Sequence, residues 1–377
     1  MIRWCVALGL IACKPEADDV ELDPAGTVDP TTPAPSGVPL LGGGTHDLSR
    51  VTLEVMLDAE AWLSEPSDLA FRPSAPNELW ITNRATDSIS LVTDPAGAPD
   101  TKWCHGPAAN HFLAKPAGLA FAEDREFLAT IHDEDQETQG EVSQGGTPAD
   151  FMGPTLWTAD PDVFDGGDQA HADMLHNSPA GRGIAWEYDH VYWVFDGYHD
   201  AIARYDFTQP HELGGVDHSD GKITRWVEGD VRGVDGVVSH LAFDPATSLL
   251  YVADTGNSRI AILDTTSGSK GDLYGPAYDT PDQNYWDGGE LITLVDGAEI
   301  GLEKPAGLEL RDGLLWVTDS ATATVWAFDA EDGSVVDYLP LGRQVKAVQG
   351  ITFDADGDLW ITDAKANEVL RLSPNDG

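Results

Sequence analysis

The chain has 377 residues, with 65 acidic against 21 basic side chains and a formal net charge of −44. Such a deficit excludes a nucleic-acid partner, which needs a basic face, and an anionic lipid surface would repel the chain. At 41% hydrophobic residues, with 12 Trp, 39 Gly and 24 Pro, it has the apolar content for a core and a balance that favours strands and turns over disorder.

At the N terminus, Arg3 precedes a short apolar run from Trp4 to Ala12, which ends at Cys13. The run is too short to span a bilayer, which takes about 20 apolar residues. Leu10-Ile11-Ala12-Cys13 resembles the bacterial lipobox, in which the cysteine is lipidated and becomes the new N terminus. The resemblance implies a signal peptide over residues 1–12 and a lipid anchor on Cys13 as the contact with a membrane. With Lys14 after it, the sorting rule of enterobacteria places the protein at the outer membrane of the cell envelope. An ordinary secretory signal is the competing reading. Residues 13–45 follow as an acidic tether, with six prolines, Gly42-Gly43-Gly44 and no apolar periodicity. Loss of Cys5 and lipidation of Cys13 leave Cys104 alone, so core packing and not a disulfide holds the fold. Within Trp103-Cys104-His105, a buried thiol competes with a Cys-His metal pair.

From residue 46 to 377 one pattern recurs six times. The first strands are Asp68–Phe71, Gly118–Phe121, Gly183–Trp186, His240–Phe243, Gly307–Leu310 and Gly350–Phe353. Each is followed in register by a second apolar strand, such as Leu79-Trp80-Ile81-Thr82-Asn83 or Leu359-Trp360-Ile361-Thr362-Asp363. Third strands follow at 89–92, 202–205, 260–263, 325–328 and 369–372, and less clearly at 154–158. The first strands recur at intervals of 50, 65, 57, 67 and 43 residues. Short strands with turn residues, at a period of 40–50 plus insertions, predict an all-β, six-bladed β-propeller, monomeric. The last repeat has only three strands of its own. Val51–Leu57 therefore supplies the fourth and closes the ring.

Leu250-Tyr251-Val252-Ala253-Asp254-Thr255-Gly256-Asn257-Ser258-Arg259-Ile260 closely resembles the NHL repeat, as do the segments around 305–319 and 349–363. The resemblance spans roughly residues 66–373 and implies the fold; NHL propellers bind proteins, bind RNA or act as enzymes.

In such blades the start of the first strand and the end of the second meet at one mouth of the central channel. That mouth collects Asp68, Arg84, Asp133, Asp196 and Asp254 as candidate ligand-binding residues. Asp254, Asp319 and Asp363 have a second reading as caps of the turns that follow. Positions that break the repeat carry more information: His240 replaces the Gly found before most first strands, Arg182 adjoins Gly183, and one second strand ends Phe195-Asp196-Gly197-Tyr198-His199. Arg182, Tyr198 and His240 are thus the catalytic candidates, as groups that orient, bind anions and move protons. The candidate ligands for a divalent metal, zinc or calcium, are His132, His176, His199 and His240. Seven of the eleven histidines lie between 171 and 240, and His171, Asp173 and His176 share an insertion with Asp160, Asp162, Asp165 and Asp168. Imidazole with carboxylate is a borderline-metal donor set.

Asp196-Gly197-Tyr198, followed by a strand with Arg204, also resembles the Asp-Gly-Tyr segment of peptidyl-hydroxyglycine amidating lyase, a six-bladed propeller. That resemblance implies a catalytic Tyr198. The family's zinc histidines precede three first strands; the matching positions here are Ser67, Ala117, Arg182, Ser239, Ala306 and Gln349, and none is His. Two functions follow: an envelope-anchored module that binds a protein or small ligand at the channel mouth, or a metal-assisted lyase or hydrolase working at the mouth built by Arg182, Tyr198, His199 and His240.

Overall fold

This computed structural model describes residues 37–123, 126–134, 152–275 and 280–375. Cys13, the apolar run before it and most of the tether lie outside the described residues. No helix among the described residues is long and apolar enough to cross a membrane.

The described strands form six sheets arranged as the blades of a propeller. Strand β1 (Val51–Leu57) comes first in the chain but belongs to the last blade. Blade 1 comprises β2 (Pro66–Arg72), β3 (Ala75–Asn83), β4 (Ser88–Thr93) and β5 (Asp100–Cys104). Blade 2 comprises β6 (Pro116–Phe121), β7 (Phe127–His132), β8 (Thr155–Thr158) and β9 (His171–Met174), so its obscure third strand falls where the sequence places it. Blade 3 is built from β10 (Gly181–Tyr188), β11 (Val191–Asp196), β12 (Ala201–Asp206) and β13 (Lys222–Trp226). Blade 4 takes β14 (Leu241–Asp244), β15 (Leu249–Asp254) and β16 (Arg259–Asp264). A hairpin of β17 (Ser269–Leu273) and β18 (Asp282–Asp287) then departs from it before β19 (Glu290–Asp296) completes the blade. Blade 5 holds β20 (Pro305–Arg311), β21 (Leu314–Asp319), β22 (Thr324–Asp329) and β23 (Val335–Pro340). Blade 6 holds β24 (Val348–Phe353), β25 (Leu359–Asp363) and β26 (Glu368–Pro374).

Ring closure is as the sequence predicts. β1 pairs antiparallel with β26, Leu53 opposite Leu372 and Val55 opposite Leu370. Leu370, Leu372 and Val51 bury their side chains in one cluster with Ile351 and Ile361. The departing hairpin is the unexpected element. β18 adds in parallel to β13, widening blade 3 to six strands, and Trp286 stacks on Trp226 at 4.8 Å. This excursion accounts for the longest interval between repeats.

Two recurrent residues of the second strands join neighbouring blades. Trp80, Trp316 and Trp360 meet Phe121, Phe353 and Phe71 edge-on, at 5.5, 5.1 and 5.4 Å, each across a blade boundary. Such pairs contribute about 0.5–1.5 kcal/mol each beyond area burial. The Thr before the terminal Asp does the polar work. Thr318 Oγ1 accepts from Gly307 N at 2.8 Å and donates to Gln349 O of the next blade at 2.5 Å. Thr362 likewise accepts from Gly350 N, and Thr82 from Asp68 N.

The expected tether reaches residue 45, whereas residues 37–45 pack on the propeller. Leu40 and Leu41 enter the blade 5–6 core beside Leu339 and Leu341. The buried Asp337 carboxylate accepts from Val38 N and Gly44 N, both at 2.9 Å, and His46 stacks on Tyr338. The propeller domain therefore includes residues 37–45. Burial of two leucines holds the segment, a short-range signal that its glycines and prolines mask.

Candidate functional site

The six first strands line the channel, and period-2 alternation sorts their residues into tiers. At the first tier stand Asp68, Gly118, Gly183, His240, Gly307 and Gly350. The glycines are there because the strands crowd together. A Cβ on Gly183 would meet Ser239 O at 2.0 Å, and one on Gly350 would meet the Asp68 Cα at 2.6 Å. Into the remaining space project two side chains from opposite blades, Asp68 of blade 1 and His240 of blade 4, with His240 Nδ1 3.6 Å from Asp68 Oδ1. Both are buried. Asp68 is anchored by N–H groups of Leu69 and Leu119, each at 2.8 Å. Burial raises its pKa from the ordinary carboxylate value, partly offset by His240. His240 has no such anchor: 3.6 Å exceeds a hydrogen bond, and Nε2 is buried with no partner among the described residues.

The second tier is Ala70, Ala120, Ala185, Ala242, Glu309 and Thr352. Four alanines leave a cavity of about 410 Å³, which opens at the end where the first strands finish. Glu309 is the acid in that tier, and burial, followed by the nearby Asp68 carboxylate, pushes its pKa up to about 8. Glu123 and Glu187 stand on the same wall, on which the described residues include no Lys or Arg. Of these, Glu187 is already paired with Arg204 at 2.6 Å.

At the other end, the mouth singled out from the sequence, the charges are consumed internally. Asp133 accepts from Arg84 at 2.6 Å and lies 3.0 Å from Arg182. Arg182 also donates to Val234 O at 3.0 Å and to Asp235 at 2.9 Å. The turn 234–237, with Gly236 at φ 71°, leans over this end, and Val238 N reaches Gln349 Oε1 of blade 6 at 3.0 Å. What remains is a depression of about 170 Å³ between Glu65, Lys346 and Lys365.

The proposed rim is therefore not one site. Arg182 lies one residue before the first tier and is locked in the near-end ion pairs, whereas His240 points into the channel beyond it. Tyr198 stands half exposed against its neighbour His199 and lines neither cavity. A one-residue step along a strand moves a side chain by about 3.3 Å and turns it to the other face, which is why adjacency in the repeat does not become convergence. Among the ligand-binding candidates, Asp68 faces the cavity, Arg84 and Asp133 form the near-end network, Asp196 caps its turn, and Asp254 binds a neighbouring N–H and two side chains instead of capping. Asp196 accepts from the N–H groups of Tyr198 and His199 and from the His199 ring at 2.8 Å. Asp254 accepts from Arg232 N, Asn257 and Arg259.

The metal candidates disperse too. His132 holds Gly153 O at 2.9 Å and Thr130 at 3.0 Å, and burial lowers its pKa to about 4. His199 is tied to Asp196, His240 sits on the axis, and His176 is buried just after β9. The acids of the insertion cap their own loop, as where Asp160 accepts from Asp162 N and Asp165 from Gly167 N. Cys104 and His105 make no metal pair. The thiol is buried against Phe164 O, its pKa raised to about 11 by burial, while His105 bonds Asp87 O and stacks on Trp103. A different trio does meet among the described residues: one ring nitrogen each of His171, His211 and His218 lies within 4.8 Å of the others. Sequence reasoning marks the histidine-rich stretch but not this grouping. It also passes over Glu309, although an acid where four of five sister repeats have Ala is a readable signal.

The architecture defines the chain as a six-bladed β-propeller. No family model matches it, and no curated protein matches it. Solved structures share the fold. A streptogramin B lyase aligns at a TM-score of 0.50 and 12% identity, over 86% of this chain and 98% of that one. An auxiliary nutrient binding protein from Bacteroides thetaiotaomicron aligns at 0.53 and 12%, over 82% and 69%. A luciferin-regenerating enzyme aligns at 0.53 and 10%, over 86% and 96%.

Proposed function

We propose that the protein is a monomeric binding module, anchored to the bacterial envelope through Cys13, that takes a slim organic cation into the open end of its channel. The observation that carries this reading is the pairing of Asp68 and Glu309 along one narrow tube whose described wall has no Lys or Arg. Burial pushes both carboxyls toward their protonated forms, so a cation entering the cleft binds with release of the Glu309 proton, and the ionised pair then holds it. The alanine tier admits an alkyl ammonium chain, and His240 Nε2 is a spare hydrogen-bonding group at the inner end. At about 410 Å³ the cavity falls in the range of small-molecule sites. That a structurally similar propeller is called a nutrient binding protein supports a binding role by analogy of fold. The lipobox residues 10–13 support the anchor.

Titration calorimetry with 1,4-diaminobutane and, as a counterpart of similar length and opposite charge, succinate tests the site. The diamine is expected to bind at one per chain and succinate not at all, with affinity falling at least tenfold in Glu309→Gln and in His240→Ala. Absence of diamine binding, or undiminished affinity in Glu309→Gln, would overturn the assignment. Incorporation of labelled palmitate, abolished in Cys13→Ala, tests the anchor.

A further inference from the structure

The outer edge of blades 2 and 3 carries a second constellation, independent of the channel. His171 and Asp173 lie on β9, the outermost strand of blade 2. His211 and His218 come from the loop 207–221 that links β12 to β13 in blade 3. Backbone bonds fix that loop to the strand: His211 N donates to Ala172 O at 3.0 Å and Gly214 N to His171 O at 2.9 Å. The three rings are mutually close, His171–His211 and His211–His218 at 5.0 Å between centroids.

Each ring has its Nδ1 facing an acceptor. His171 Nδ1 lies 2.5 Å from Asp168 O, His211 Nδ1 2.7 Å from Glu212 O, and His218 Nδ1 2.8 Å from Asp173 Oδ1. The Met174 N–H, 3.3 Å from the same His218 nitrogen, is already satisfied by Asp173 Oδ1 at 2.7 Å. Carbonyl and carboxylate oxygens donate nothing, so each Nδ1 carries the proton and each Nε2 keeps its lone pair. His171 Nε2 and His211 Nε2 are buried without a hydrogen-bond partner among the described residues, and the His171 side chain is 1% exposed. Two buried, unpartnered lone pairs in one place carry a desolvation cost that a ligand would remove. Histidines oriented through Nδ1 by carbonyls and a carboxylate are the outer-shell pattern of metal-binding imidazoles.

We propose that His171, His211 and His218 bind a first-row transition ion, Zn²⁺ in preference to Ca²⁺ or Mg²⁺, through their Nε2 atoms, with Asp173 as the positioning carboxylate behind His218. Three neutral imidazoles suit zinc and copper, whereas calcium and magnesium take oxygen donors. Zinc–nitrogen bonds of about 2.0–2.1 Å require the nitrogens to draw closer than they stand. The His211 and His218 side chains are only partly buried, and rotation of those side chains on the pinned loop supplies the movement. His171 is fixed on the strand. With three protein ligands, a fourth position is left for water or an exogenous donor, and the ion ties blade 2 to blade 3.

The test uses the full chain, purified in detergent and stripped with chelator. Co²⁺ is expected to bind at one equivalent per chain with the intense visible absorption of a tetrahedral or five-coordinate nitrogen-ligated ion, and Zn²⁺ to displace it. His211→Gln/His218→Gln should weaken binding more than about 100-fold, and Asp173→Asn by about 10–100-fold. His199→Ala, outside the cluster, should bind as the parent does. Zinc should raise the melting temperature of the parent and leave that of the double variant unchanged, while the two melt alike without metal. A weak, octahedral-type cobalt spectrum, or affinity retained in the double variant, would overturn the proposal by placing the ion among the surface carboxylates.

Discussion

The two ends of the channel use similar residue types for opposite purposes. At the near end Arg84, Asp133, Arg182 and Asp235 pair with one another, leaving only Arg182 Nε of that network without a partner among the described residues, and a turn from between blades 3 and 4 covers them. At the far end Asp68, His240 and Glu309 face a cavity, with one imidazole nitrogen unpartnered and one carboxyl crowded into holding its proton. Charge at the near end is spent on structure; at the far end it is left facing a cavity. A convergent polar rim is thus a poor guide to a site unless its hydrogen bonds are counted.

Both ends depend on a closed ring, so removal of β1 should produce the largest effect. Deleting residues 51–57 strips the outer strand from blade 6 and exposes the edge of β26. Loss of a single cooperative thermal transition is expected; a melting temperature within a few degrees of the parent would refute closure. Next comes Asp133→Ala at the near end, which leaves Arg182, its side chain 5% exposed, short of a carboxylate. Removing one partner of a buried pair costs about 3 kcal/mol. Denaturant unfolding should show that loss with diamine binding intact, and the reverse outcome would exchange the roles of the two ends.

The far end should show itself through pH. Burial, with the nearby Asp68 carboxylate, pushes the Glu309 carboxyl up to about 8 in the folded chain from the ordinary 4.5. A raised carboxyl value means the native state holds a proton the unfolded chain has released. Its contribution to stability is complete below about 4.5 and lost as pH rises through 8. Glu309→Gln removes that loss, so the variant should gain melting temperature over the parent at pH 9 and gain little or nothing at pH 4. Equal shifts at both pH values would mean Glu309 is freely solvated. The smallest effect belongs to Tyr198→Phe, whose hydroxyl stands on a half-exposed ring that lines neither cavity. Stability should change by less than about 0.5 kcal/mol, and diamine affinity not at all. A large affinity loss would return Tyr198 to the site.

Much of this fold is legible before any coordinates. The Trp and Thr-Asp endings of the second strands mark the repeat because they are the residues that join blades and cap turns, local duties imposed on nearly every copy. The terminal strand was legible for the same reason: three strands need a fourth. The addition of β18 to β13 was not, since parallel pairing to a different blade leaves no local trace in either strand.

For the candidate sites the division is similar. Asp68 and His240 stand out in the sequence as departures from glycine, and the histidine-rich stretch 171–240 announces itself by density. Their meaning came from the tertiary structure alone. Opposite blades bring Asp68 to His240 across the axis, although 172 positions separate them in the chain. A loop from one blade lays His211 and His218 beside His171 of the next. Sequence determined the repeat, the strand periodicity and the places where the repeat is broken, because these follow from backbone geometry and burial within a few residues. Which broken places meet was decided by the closing of the ring, which fixes distances between residues that share no local interaction.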